Sequence, residues 1–238
     1  MGERAHWEAV YREKTPQEWS WYRPHLESSL AWIEEAVPDR LAPILDVGAG
    51  ASTLVEDLLA RGYRRLTALD LSATALALSR QRLNLHLDLH LDQRVGTGQT
   101  ARVQWIAANI TTAPLPTAHY ALWHDRAVFH FLTTPEAQQA YRRQLARSLA
   151  PGGTALLATF ALDGPARCSG LNVCRYDAAS LTAVLNAGPH AEFPPPTSQP
   201  SAFHLPVFHL EESRIEEHQT PMGHKQRFLL ARFRALPQ

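Results

Sequence analysis

The chain has 238 residues and is 45% apolar, enough to bury one substantial core and within the range of a single α/β domain spanning 1–238. Lys plus Arg and Asp plus Glu both number 23, so no net charge steers the protein towards nucleic acid or an anionic membrane, and neither is expected as a partner. The start "MGERAHWEAVYREK" lacks an apolar signal region and no run reaches the ~18 apolar residues of a membrane span, which makes a cytoplasmic location the expectation.

In chain order, residues 1–40 hold an unusual density of aromatics: Trp7 and Tyr11, then the segment "EWSWYRPH" with Trp19, Trp21, Tyr22 and Arg23. The runs "PILDVG" (43–48), "LTALDL" (66–71), "VQWIAA" (103–108), "ALWHD" (121–125) and "TALLATF" (154–160) follow. They are short and apolar on both faces, which suits parallel strands buried between helical layers. Between them, "TLVEDLLARG" with Gly62 as C-cap, "SATALALSRQRL" with Ser72 as N-cap and "TPEAQQAYRRQLARSL" read as helices. Beyond them "VFHLEESRIEEHQ" and "KQRFLLARFRA" are separated only by "TPMGH", too short for a crossover helix, so they form an antiparallel hairpin. The sum is a doubly wound, mostly parallel seven-stranded α/β sheet ending in that hairpin.

Two segments interrupt the rhythm. "LNLHLDLHLDQ" (83–93) alternates apolar and polar residues, which argues for a strand, although the preceding helix pattern runs straight into it. "FPPPTSQPSAFHLP" (193–206) reads as a Pro-rich surface loop. His86 and His90 could make a two-ligand face on a helix, but on a strand they are simply its polar side, and no metal site is expected. Cys168 and Cys174, six apart, form neither a disulfide framework nor a zinc pattern.

The chemistry concentrates in "APILDVGAGAS". Asp46 ends an apolar run, and a buried carboxylate without a partner costs several kcal/mol, so something must meet it. Gly48 and Gly50 follow a strand and precede a helix, where backbone can approach a ligand closely. A dehydrogenase fingerprint would place glycine at Thr53 and an apolar residue at Asp46, and has neither. Asp70 ends the next strand, where a carboxylate can accept hydrogen bonds from two vicinal ribose hydroxyls; the plainer alternative is a helix cap, a task Ser72 can perform.

"LDVGAGAS", "LDLS", "IAANIT", "YALWHDRAV" and "SLAPGGTALLATF", in this order over residues 40–185, resemble motifs I to V of the class I S-adenosylmethionine-dependent methyltransferases, a Rossmann-like fold. The resemblance implies S-adenosylmethionine as cofactor. Asp46 would lie beside its methionine end, meeting a charge partner only when the cofactor is bound. Gly48, Ala49 and Gly50 would let the backbone pass beneath it. Asp70 and Leu71 would take the ribose, and Asn109 and Ile110 the adenine. Ser52 departs from the usual third glycine and Asn109 from the usual acid, though an Asn carbonyl oxygen can accept the same hydrogen bond.

"WHDRAVFHFL" and the aromatic N-terminus are similar to the thiopurine and elongation-factor-type lysine methyltransferase branches. By that similarity residues 1–40 are a helical arm or lid, Trp7 and Tyr11 on one helix face cover the cofactor, and Arg126 meets its carboxylate. The plainer reading is that the pair only docks the terminal helix. Trp21, Tyr22, Arg23 and His124 would face the substrate or form the lid, with a supporting or structural role the plainer reading for His124 and packing an equal one for Trp19, Trp21 and Tyr22, and Asp125 would position the acceptor. The expected function is methyl transfer to a small heteroatom nucleophile; the alternatives are a protein lysine methyltransferase, and a nucleotide-binding or inactive protein of the same fold.

Overall fold

The computed structural model describes residues 2–90, 102–187 and 206–236. Strand β1 (Ile44–Val47) is buried along its whole length, as the apolar run requires. Parallel strands β2 (Arg65–Asp70), β3 (Arg102–Ala107), β4 (Tyr120–Arg126) and β5 (Leu149–Phe160) pair with it in a sheet of order β3-β2-β1-β4-β5-β9-β8. The last two members are β8 (Val207–Gln219) and β9 (Lys225–Leu236), the antiparallel hairpin anticipated from "TPMGH". It is β9 that pairs antiparallel with β5, leaving β8 at the edge.

Strand side chains alternate between faces, and the two faces feed two cores. Ile44, Leu122 and Leu156 pack with α2 (Glu27–Ala36), α3 (Leu54–Ala60) and α4 (Ala73–His90) through Ile33, Leu54, Leu58 and Leu76. Leu45, Val47, Trp123 and Leu157 pack with α5 (Pro135–Ser148) and α6 (Ala178–Asn186) through Tyr141, Leu145, Leu181 and Leu185. Helix starts follow local chemistry. Thr134 accepts from the Ala137 amide ahead of Pro135, and Asp177 accepts from the Ser180 amide.

The strand expected at 83–93 is overturned for the described part: α4 runs to His90. Ser72 caps it by accepting from the Ala75 amide at 3.1 Å, and Leu76, Ser79 and Leu83 bury one helical stripe while Leu85 is 56% exposed. With no breaker in "LNLHLDLH", a helix already nucleated and packed simply continues. Residues 91–93 and 193–205, the rest of that segment and most of the Pro-rich segment, lie outside the described residues. The helix sets the His86 and His90 backbone positions one turn apart; among the described residues no group of three His, Cys, Asp or Glu is arranged for a metal.

Two elements had not been read from the sequence: α6, and a hairpin of β6 (Arg167–Cys168) and β7 (Leu171–Asn172). Ser169 and Gly170 turn that hairpin at φ of 49° and 80°, the paired left-handed conformation of a tight two-residue turn. The arm resolves into α1 (Glu3–Glu13), a 3-10 turn at Pro16–Glu18 and α2. Both cysteines are free, and among the described residues no helix is long and apolar enough to cross a membrane.

Candidate active site

The sheet order reverses where β1 lies between β2 and β4, and the carboxyl ends of strands at such a point leave a crevice. Two cavities occupy it, of about 290 Å³ and about 50 Å³, sharing Tyr11, Trp21, Gly48 and Arg126 in their walls. The larger is lined by Trp7, Asp70, Leu71, Asn109 and Ile110, the smaller by Tyr22, Arg23, Asp46, Ala49, Gly50 and His124. Sequence reading and structure therefore converge on one crevice for every candidate except Asp125.

Gly48 and Gly50 have φ of 66° and 53°, which an L side chain resists. At Gly50 a Cβ would also sit 2.5 Å from the Tyr11 hydroxyl, so the arm descends onto the loop where a side chain would otherwise stand. Asp70 ties the loop to the next helix: its Oδ2 accepts from the Gly50 amide at 2.9 Å and its Oδ1 from the Ser72 amide at 2.7 Å. Burial raises its pKa to about 6, against the lowering effect of those two amides and with a further push from the charges of Asp46 and Glu8.

What meets Asp46 comes from β4. Asp46 and His124 are register partners in adjacent parallel strands, so their side chains leave the sheet side by side. His124 Nδ1 lies 2.7 Å from Asp46 Oδ1 and its Nε2 2.9 Å from Ser29 Oγ in the first turn of α2. The carboxylate has a partner before any ligand arrives, which corrects the expectation that only a bound cofactor supplies one. His124 accordingly engages Asp46 and α2, and is no part of the lid.

Arg126, two residues on, emerges on the same face. Its Nη1 donates to the Trp21 carbonyl at 3.0 Å, its guanidinium lies over the Phe228 ring at 5.0 Å, and among the described residues no carboxylate pairs with it. Burial, reinforced by the nearby charge of Arg23, lowers its pKa to about 10, so it stays cationic at neutral pH.

Asp125 falls between these two and must point to the opposite face, which overturns its expected role at the acceptor. It is completely buried and lines neither cavity. Its oxygens accept from the Val128 amide at 2.9 Å, the Phe129 amide at 3.1 Å and the Tyr141 hydroxyl at 2.6 Å, and Tyr141 in turn accepts from Trp123 Nε1 at 2.8 Å. The bracket holds a turn in which Ala127 takes φ of 68°, a conformation costing about 1 to 2 kcal/mol for a residue with a Cβ. That turn presents Val128, Phe131 and Leu132 to the larger cavity. Asn109 supplies a second correction. Its Oδ1 already accepts from the Thr111 amide at 2.9 Å and the Thr111 hydroxyl at 2.8 Å, so it is not free to accept from an adenine amino group.

The arm is fastened at both ends. Glu8 accepts from the Ala73 amide at 2.7 Å and the Thr74 amide at 3.3 Å, filling orphan donors at the start of α4. Arg23 pairs with Glu216 at 2.9 Å and donates from Nε to His218 Nδ1 at 3.0 Å, while His218 Nε2–H donates to the Ser20 carbonyl at 2.8 Å. Burial lowers the His218 pKa to about 4, which keeps the ring neutral and suited to that accept-and-donate role. Between these anchors Trp7 meets Trp21 and Phe131 edge-on at 5.6 Å and 5.2 Å, and Trp19 is 3% exposed. Sequence reading missed Glu8, which looks like one surface acid among many, and the cavity walls given by Cys168, Leu171 and Asn172, for which the Ser-Gly turn was the available signal.

Residues 44–153 match the methyltransferase domain family. A segment of the chain is 29% identical over 87 residues to EEF1A lysine methyltransferase 2 of Mus musculus; that alignment covers 33% of this chain and only 36% of the relative's length. An S-adenosylmethionine-dependent methyltransferase of Methanosarcina mazei superimposes with a TM-score of 0.62 at 13% identity, covering 87% of this chain and 98% of the other. The 1,6-didemethyltoxoflavin-N1-methyltransferase of Burkholderia thailandensis, solved with its acceptor and S-adenosylhomocysteine, superimposes with a TM-score of 0.59 at 18% identity over 96% and 81%. At such identities the structural likeness speaks for the fold. The matched methyltransferase domain spans just under half of the chain, and the fold is the one that S-adenosylmethionine-dependent methyltransferases adopt. The proteins it resembles include one named for a small-molecule acceptor and one named for a protein lysine.

Proposed function

We propose that the chain transfers a methyl group from S-adenosylmethionine to a small heteroatom nucleophile held beneath the N-terminal arm. Bound S-adenosylmethionine supplies a methyl carbon already activated by its sulfonium, so the protein needs no nucleophile of its own. The residues fit such a cofactor on three counts. The glycine loop carries no side chain of its own beyond Ala49, and what stands over Gly48 and Gly50 is the side chains of Val128 and Tyr11. Asp46 keeps Oδ2 without a partner among the described residues, and Arg126 brings a cation without a carboxylate, so opposite charges flank the smaller cavity as a zwitterionic amino-acid end requires. Asp70 in the larger cavity offers a carboxylate to ribose hydroxyls.

The observation that carries the small-acceptor reading is the roof. Trp7, Tyr11, Trp21 and Phe131 cover a cavity of about 290 Å³, and the arm bearing three of them is fastened at Glu8, Ser20 and Arg23. Four aromatic rings over a partly open cavity shared with the cofactor suit a small acceptor, whereas a lysine on a folded protein needs an open approach. The Burkholderia enzyme, with its small heterocyclic acceptor, supports this direction. The mouse relative favours a protein lysine as the second reading.

A panel of small thiols, amines and nitrogen heterocycles, run beside cell-lysate proteins with labelled S-adenosylmethionine, tests the choice. Label is expected in a small product. Label confined to one discrete protein band would reverse the assignment.

A further inference from the structure

Asp46, His124 and Ser29 form a linear hydrogen-bonded chain from β1 through β4 to α2, at 2.7 Å and 2.9 Å. It has the outline of a hydrolytic triad, but Ser29 lines neither cavity, so its hydroxyl has no substrate to attack. The other end of the chain reaches the ligand. Asp46 lines the smaller cavity with Oδ1 spent on His124 and Oδ2 without a partner among the described residues.

We propose that His124 is a positioning residue, held in place by Ser29, that aims the free Oδ2 of Asp46 at the cofactor's ammonium group. The inference rests on the cofactor reading above and deepens it. A carboxylate oxygen 2.7 Å from Nδ1 can only accept, so Nδ1 carries the proton, and Nε2 faces the Ser29 hydroxyl at 2.9 Å. His124 and Asp46 are 3% and 5% exposed, so the imidazole is the neighbour that sets the carboxylate's rotamer. Without the imidazole N–H it would turn freely, or bind an ammonium only after losing rotational freedom. Ordering the acceptor in advance reduces that cost.

The ring's two nitrogens make the idea separable from mere packing. In His124→Asn the side-chain amide nitrogen can stand near the place of Nδ1 and donate to Asp46. In His124→Gln the longer chain carries it towards Ser29 instead. Calorimetric titration with S-adenosylhomocysteine, which keeps the ammonium, and with 5′-methylthioadenosine, which lacks the amino-acid arm, reads the difference. For His124→Gln, S-adenosylhomocysteine affinity should fall on the order of 10- to 100-fold, the worth of a hydrogen bond to a charged group. Methylthioadenosine affinity should stay nearly unchanged, and His124→Asn should recover most of the loss. Equal losses for both ligands, or equal losses in both variants, would overturn the inference and leave His124 a packing residue. A wild-type protein that binds neither ligand would instead remove the cofactor reading and this inference with it.

Discussion

Tyr141→Phe tests the reassignment of Asp125 most directly. The hydroxyl is wholly buried, donates to Asp125 Oδ2 at 2.6 Å and accepts from Trp123 Nε1 at 2.8 Å, so its removal takes one of three donors from a buried carboxylate and orphans one neutral donor. The indole N–H left without a partner costs about 1 kcal/mol. The carboxyl's share has a ceiling, because it can take up a proton instead. Burial already raises its pKa to about 6 from the ordinary 3.8, and neutralising such a group at pH 8 spans about two units, roughly 2.7 kcal/mol. The two together set a ceiling of about 3.7 kcal/mol at pH 8, equivalent to a Tm lower by at most roughly 7 to 15 °C for a chain of this size. The sign with pH is fixed as well. A carboxyl whose folded pKa is raised contributes stability present below about 4 and lost as pH rises through about 6, and removing a donor to its ionised form raises that pKa further. The variant's deficit should therefore shrink to about 1 kcal/mol at pH 5.5, where the proton is already bound. Urea unfolding at both pH values, with the slope checked for constancy, measures it. A deficit that is the same at pH 5.5 and pH 8, or below about 1 kcal/mol at pH 8, would refute the bracket.

Asp70, with its pKa raised to about 6, must be ionised to accept two ribose hydroxyls, so S-adenosylhomocysteine should bind more tightly as pH rises from 5 to 7; calorimetry should find that dependence abolished in Asp70→Asn. Glu8→Ala removes the cap that fastens α1 to α4 at about 1 kcal/mol, so amide exchange over residues 3–13 should accelerate several-fold while β1 and β4 stay protected; unaltered exchange would mean the helix is held by its aromatics alone. Gly50→Ala should cost about 1 to 2 kcal/mol from its dihedral and more from the Tyr11 hydroxyl at 2.5 Å; in a Tyr11→Phe background the second part should disappear, and strict additivity of the two changes would show that no clash exists.

The sheet was legible because buried parallel strands need apolar residues on both faces, and "PILDVG" and "ALWHD" have nowhere else to go. The hairpin was legible from loop length alone. Around the site, Asp46 and Asp70 could be named from their places at strand ends and Arg126 from a family resemblance, but not what each touches. The alternation that sends His124 towards Asp46 and Asp125 towards Tyr141 is visible only once β4 is in register with β1. Asn109 shows the same limit, since its carbonyl is claimed by Thr111, two residues on. "LNLHLDLHL" misled because period-two leucines normally signal a strand, while here an existing helix carried Leu85 into solvent. Glu8 carried no local signal, because the amides it caps lie 65 and 66 residues away.

The place of β9 bears on synthesis. Thr154–Phe160 of β5 find their second partner only in Phe228–Arg234, some seventy positions later in the chain. While that segment is still being made, β5 offers a row of open backbone groups flanked by Leu156, Leu157 and Phe160, the kind of apolar edge on which nascent chains stick to one another. A chain cut between Asn186 and Lys225 would keep every residue that lines the two cavities and still lack an interior strand of the sheet. Its failure would be aggregation during production, well before any loss of chemistry could be measured.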